Sequence, residues 1–412
     1  MKKFVIFILV FLGGMQFIKA QVNFMWGKQF GVTQDDKARN LVNDNFGNIY
    51  VFGKTNGVIG EQSFGKADGF IVKLDSAAKV IWKIQIGTTE NDDLLKGVTD
   101  ESGNLYVTGV TGLSGNQLIN NDILVIKINS DGKLAWQKQF GTENNDIGLD
   151  IAVLNEGDIY VAGETEGTLA DTSYGNKDCL ILHLDNEGNQ LDAIQFGTPA
   201  NDGIYGMTIK DNSKIYVCGA TGGDLVKNNA GGMDILWGIL SLKLETIRLE
   251  QHGTTENDFA GNIKIDNTNN VYIAGSTNGD LGSKQTGEGD SFIQKLSENG
   301  DIIWTKQFGT NKWDGTNGLD IINENILIAS GCLNYPNCRS FCRMYDADGN
   351  LLWSGNQIVQ GVGGGTCGKG ICIDDKGNIY HAGYTGANMF SELKGEHDIF
   401  VIKFKLENSE IK

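Results

Sequence analysis

One pattern recurs about every 55 residues along nearly the whole chain, and neighbouring copies superimpose almost without gaps. A fixed period of this length marks a repeat architecture, because each copy is one supersecondary unit that buries its faces only against its neighbours. The first landmark is an aromatic segment entering a glycine turn, Trp26 to Gly31, which returns as Trp82 to Gly87, Trp136 to Gly141 and Trp304 to Gly309, with weaker copies ending at Gly197 and Gly253. The second is Gly47 to Gly53, echoed around Tyr106, Tyr160, Tyr216, Tyr272, Leu327 and Tyr380. The third is an Asp-led apolar run from Asp68, repeated from Asp122, Asp178, Asp234, Asp290, Arg339 and Asp398. The second and third landmarks each occur seven times, and in five copies the leading Asp lies 19 residues before the glycine of the first.

Within a unit, β-branched and aromatic residues come in short runs separated by Gly, Asn, Asp and Ser, which reads as strands and turns. No stretch after the N-terminal segment holds a 3.6-residue apolar period. Four strands per unit fit, and seven four-stranded units predict an all-β fold: a seven-bladed β-propeller whose sheets bury both faces against one another. Gly, 57 of 412 residues, is about twice its usual share of roughly 7%, as many tight turns require. The Trp follows the leading Asp by 14 positions in intact units, so the unit opened by Asp398 runs out at Lys412 before its outermost strand. Trp26 stands in front of the first complete unit, so the N-terminal strand is expected to complete the last blade. That closure removes two exposed sheet edges.

The unit resembles the bacterial SBBP repeat, the seven-bladed β-propeller repeat. The resemblance rests on Asp35-Asp36, Ala38, Gly47-Asn48-Ile49-Tyr50-Val51, Gly53-Lys54-Thr55 and Asp68-Gly69-Phe70-Ile71-Val72-Lys73-Leu74, and it extends from Gln21 to Lys405. It implies a secreted or surface protein and no assigned activity. The sixth unit departs most, with Arg339 for Asp and a shortened loop before it.

Met1 to Ala20 carries Lys2 and Lys3, an apolar run from Phe4 to Leu12, and Ile18-Lys19-Ala20 before Gln21. This is the layout of a secretory signal, so residues 1–20 are expected to be removed and residues 21–412 to form the propeller, in an extracellular or periplasmic setting. No run reaches the roughly 20 apolar residues of a spanning helix, so no membrane span is expected. The charge is −17, with 34 basic against 51 acidic residues. Such a surface repels polyanions as a whole, and without a basic cluster in the sequence nucleic acid is set aside as a partner.

In a propeller, the turn from the last strand of one blade to the first of the next shares a face with the loop between second and third strands. The first class carries a Gly-Thr-x-x-Asn-Asp pattern, complete at Asp92, Asp146, Asp202 and Asp258 and varied before its Asp at Asp36 and Asp314, and the second is long and variable, as in 55–67, 221–233 and 277–289. Constant turns beside variable loops predict a binding rim. The aspartates could hold Ca²⁺ through hard oxygen ligands, but a residue repeated in nearly every blade is expected first to hold its turn. No other cofactor is expected. The in-register Trp26, Trp82, Trp136, Trp304 and Trp353 are expected to pack between blades, whereas Trp313, in a rim turn, is the candidate for stacking on a ligand. Turns such as Ser130-Asp131-Gly132 resemble the Asp-box of sialidase propellers, which is structural and implies no sialidase chemistry.

His183, His252, His381 and His397 form no metal pair or triad pattern, so no catalytic residue is assigned. Of the seven cysteines, five fall between Cys332 and Cys372, and disulfides suit an oxidising compartment. Cys332 and Cys338 flank the shortened loop and are the first pairing expected; Cys367 and Cys372 are candidate partners for Cys342 or each other, and Cys179 and Cys218 are expected as buried thiols. The functional expectation is a monomeric, non-enzymatic scaffold presenting rim loops to a glycan or protein partner. The alternative is a hydrolase or lyase acting on extracellular polysaccharide through rim carboxylates.

Overall fold

The computed structural model describes residues 20–113, 120–154, 157–322, 326–355 and 364–407; the leader segment 1–19 lies outside them. The described residues form seven four-stranded antiparallel sheets. Blade 1 holds Asp36–Asn43, Ile49–Thr55, Asp68–Leu74 and Val80–Ile86, from the channel outwards. Blades 2 to 6 repeat this order, their innermost strands being Asn91–Thr99, Asp146–Val153, Asp202–Lys210, Asp258–Ile265 and Trp313–Ile322. Blade 7 holds Thr366–Ile373, Asn378–Thr385 and Asp398–Leu406, and its outermost strand is Val22–Phe30. That last pairing runs from Val22 opposite Leu406 to Phe30 opposite Ile399, which is the expected closure.

Burial follows radial position. The second and third strands are covered on both faces, so Ile159–Thr165 and Asp290–Leu296 are buried at every residue. The fourth strands expose their first residues, as Val80–Ile86 and Ile302–Phe308 do. Clusters such as Tyr50, Phe52, Ile71, Val107, Leu124 and Ile126 join adjacent blades. The in-register tryptophans reach across the same seams, where Trp26, Trp82, Trp136 and Trp304 donate to the carbonyls of Ser76, Ser130, Asn186 and Ala347 in the next blade's outer turn. Trp237, off the pattern, is fully buried.

Every innermost strand carries a register shift, for example between Ala38 and Asn40, Leu94 and Lys96, Gly148 and Asp150, and Ala260 and Asn262. A bulge bends the strand and re-aims the side chain that follows it. Here it turns Asn40, Lys96, Asp150 and Asn262 into the channel.

Candidate ligand site at the channel mouth

The six rim aspartates lie beneath the rim surface. Each is no more than 1% exposed and accepts the N–H four residues upstream, as Asp36 does from Val32 at 2.5 Å, Asp92 from Thr88 at 2.7 Å and Asp202 from Thr198 at 2.5 Å. Asp36, Asp146 and Asp258 also accept the hydroxyls of Thr55, Thr165 and Thr277, while Asp314 accepts the N–H groups of Thr310 and Asn334. Gly31 separates Asp36 from Asp398, leaving no room for a side chain. Burial raises the pKa of Asp36 against these hydrogen bonds, and the charge of Asp398 raises it further. The six aspartates are thus buried and hold their turns, and other side chains make the accessible surface of this rim.

Those residues emerge where blades 7 and 1 meet. His397 Nδ1–H donates to Asp35 Oδ1 at 2.7 Å, and Lys37 Nζ binds the other oxygen of Asp35 at 2.7 Å. Burial alone would raise the Asp35 pKa, but the hydrogen bonds from His397 and Lys37 outweigh it and bring it down to about 2. Arg39 forks onto Asp93 of blade 2, with Nε 3.0 Å from Oδ1 and Nη2 2.6 Å from Oδ2, the bidentate geometry that gives a guanidinium–carboxylate pair its direction. Tyr384 lies between these groups: its ring meets His397 edge-on at 5.2 Å and has the Lys37 and Lys369 ammonium groups 5.5 and 6.0 Å from its centroid. Burial, and after it the neighbouring Cys367, pushes its hydroxyl above the ordinary value, so Tyr384 is a neutral donor and a stacking face. Lys54 pairs with Lys37 across the strands and, like Lys369, has no carboxylate partner among the described residues. Burial lowers the Lys54 pKa, only partly countered by Asp93.

Trp313 is half-buried on the same rim and meets Tyr335 edge-on at 6.2 Å; Tyr335 is 55% exposed. Together they form an aromatic step in blade 6. Sequence reasoning picked out Trp313 but missed Tyr335, Tyr384 and the cationic set.

The seam between blades 6 and 7 is built differently. Where other seams place two aspartates, this one has Arg339 and Thr366. The Cys332–Cys338 disulfide forms here, as the sequence suggested, and the Cys367 sulfur lies within 4.8 Å of both. Cys342, Cys367 and Cys372 are free, so the further pairings considered among them do not form; Cys179 and Cys218 are buried thiols. Tyr384 packs against the cysteine cluster, which therefore forms one wall of the mouth.

Farther from the Gly-Thr turns, the channel contains a cavity of about 320 Å³ lined by Asn40, Lys96, Asp150, Asn262, Lys264 and Asp320. Lys96 reaches across from blade 2 to Asn262 of blade 5 at 3.2 Å. Lys264 pairs with Asp320 at 3.2 Å, and Asp150 accepts the N–H groups of Ile151 and Met207. The Lys96–Asn262 contact ties opposite sides of the ring together, while Lys264–Asp320 and Asp150–Met207 join neighbouring blades.

Residues 26–60 and 250–282 match the β-propeller repeat SBBP. Two segments of this seven-bladed propeller thus match that repeat. A curated relative, the regulatory protein FlaEY of Caulobacter vibrioides, is 24% identical over 210 residues, covering 45% of this chain and 22% of that protein. The chain thus spans under a quarter of that relative's length. Among solved structures, a polysaccharide lyase described as an ulvan lyase aligns with a TM-score of 0.51 at 11% identity, over 86% of this chain and 93% of that one. A protein of unknown function from Dyadobacter fermentans aligns with a TM-score of 0.49 at 10% identity, over 94% and 99%. The likeness to the ulvan lyase is one of fold alone.

Proposed function

We propose that this chain is an exported binding propeller that holds an extracellular glycan at the mouth formed by blades 6, 7 and 1. The observation that carries this reading is the convergence of Trp313, Tyr335 and Tyr384 with hydrogen-bonding side chains at one end of the ring. Aromatic faces with a polar edge suit sugar rings, whose C–H faces stack while their hydroxyls need donors. Export is supported by the layout of residues 1–20 and by the disulfide.

A second reading, cleavage of a polysaccharide, draws on a specific arrangement. Asp35 orients His397 through Nδ1, leaving Nε2 for proton transfer, beside Tyr384 and Arg39. A screen of the purified chain against polysaccharides, scored for both retention and product release, separates the two. Retention without products supports the binding scaffold, product release supports the enzyme, and neither points to a protein partner.

A further inference from the structure

The mouth carries a charge opposite to that of the chain around it. Three positions on the first and second strands of each blade face the mouth: those of Lys37, Arg39 and Lys54 in blade 1. Strand registers give their counterparts. The Lys37 position is Asp93, Ile147, Gly203, Phe259, Gly315 and Cys367 in blades 2 to 7, and the Lys54 position is Val110, Glu164, Ala220, Ser276, Cys332 and Tyr384. By repeat offset, the Arg39 position becomes Leu95, Leu149, Tyr205, Gly261, Asn317 and Lys369. Basic residues occupy this set in blades 1 and 7 alone, so the fold does not require them.

Their partners are unevenly distributed. Asp93 is taken by Arg39, Asp35 by Lys37 and His397, and Glu164 by Lys177 on the other side of the ring. Lys54 and Lys369 are left with no carboxylate among the described residues, in a chain of net charge −17. An anionic ligand would relieve the confined Lys54 cation. In contrast, the two lysines of the lower channel already contact Asn262 and Asp320.

We infer that the mouth selects a polyanionic polysaccharide, with acidic groups on Lys54 and Lys369 and sugar rings on Trp313, Tyr335 and Tyr384. This deepens the glycan reading and rests on it. Lysine ammonium groups are compact point charges without a planar fork, so they attract carboxylates and sulfate esters alike. Arg39, locked to Asp93, holds the wall in place.

The test measures binding of the full chain to polygalacturonate, dextran sulfate and neutral dextran at low and high salt. The expected result is binding to one or both polyanions, weakened by salt, and no retention of dextran. Lys54→Gln with Lys369→Gln should weaken polyanion binding by about tenfold or more, while Lys133→Gln, an exposed lysine paired with Asp131 on an outer turn, should leave it unchanged. Equal weakening by both variants, or salt-independent binding, would overturn the assignment. Binding to dextran equal to that of the polyanions would overturn the charge selection but keep the glycan reading; silence on all three would overturn both. Thermal unfolding of the double variant confirms that the ring is intact.

Discussion

Gln29 donates from Nε2 to Asp398 Oδ2 at 3.0 Å across 369 positions of sequence. The same contact joins neighbouring strands inside other blades, Gln85 to Asp68 at 2.7 Å, Gln195 to Asp178 at 2.7 Å and Gln307 to Asp290 at 2.9 Å. The Gln29 side-chain oxygen Oε1 also accepts the N–H groups of Met389 and Phe390. The N-terminal strand therefore enters blade 7 as a full structural equivalent of a fourth strand.

Replacing Gln29 with Ala removes a buried amide and strands its partners, at a cost of about 1–3 kcal/mol. Removing residues 21–31 should cost considerably more, since it opens the ring and exposes the edge of the strand Asp398–Leu406. Chemical denaturation of both variants measures this; an unchanged midpoint for the deletion would contradict closure.

Asp258 anchors its turn through the N–H of Thr254 at 2.5 Å and the hydroxyl of Thr277. Asp258→Ala is expected to destabilise by about 2–3 kcal/mol, through loss of charge-assisted hydrogen bonds in a buried setting. Glycan retention by the folded variant should persist, because Asp258 lies in blade 5 and beneath the surface. Denaturation midpoint and retention, measured together, check both halves.

His381 gives a pH signature. Its Nδ1–H donates to Gly370 O at 2.9 Å, so Nε2 accepts from the Ser340 hydroxyl at 2.8 Å, and the buried ring is held neutral. Burial, opposed by the Gly370 contact, lowers its pKa from 6.5 to about 4. A depressed folded-state value means that the unfolded chain binds the proton first. Stability is thus fully present above about pH 6.5 and falls as pH drops toward 4, by about 3 kcal/mol in all. Unfolding free energies across that window should slope for the parent and flatten for His381→Gln.

Under non-reducing conditions the unfolded chain should show five reactive thiols, Cys179, Cys218, Cys342, Cys367 and Cys372, and peptide mapping should join Cys332 to Cys338. A bond from Cys367 to either would contradict this pairing.

The blades, the strand order and the closing strand were legible in the sequence because they are repeated, and repetition is what a periodic fold demands of its core. The rim aspartates were legible for the same reason, but repetition pointed to turn chemistry. The mouth is written in the opposite signal, residues that break the repeat. Asp35 stands where four other turns carry Asn91, Asn145, Asn201 and Asn257, His397 has Ala67, Asn121, Lys177, Met233, Gly289 and Cys338 as counterparts, and Lys369 matches Arg39 across the closure. These positions lie more than 300 residues apart along the chain, and only the closed ring brings them together.

The most direct test of this account is hydrogen exchange on the full chain with and without bound polysaccharide. The account predicts new protection around residues 32–39, 333–339 and 384–397, with the outer turns of the opposite face, such as 129–133 and 297–301, unchanged. Protection confined to those outer turns, with the blade 6, 7 and 1 mouth unaffected, would contradict it.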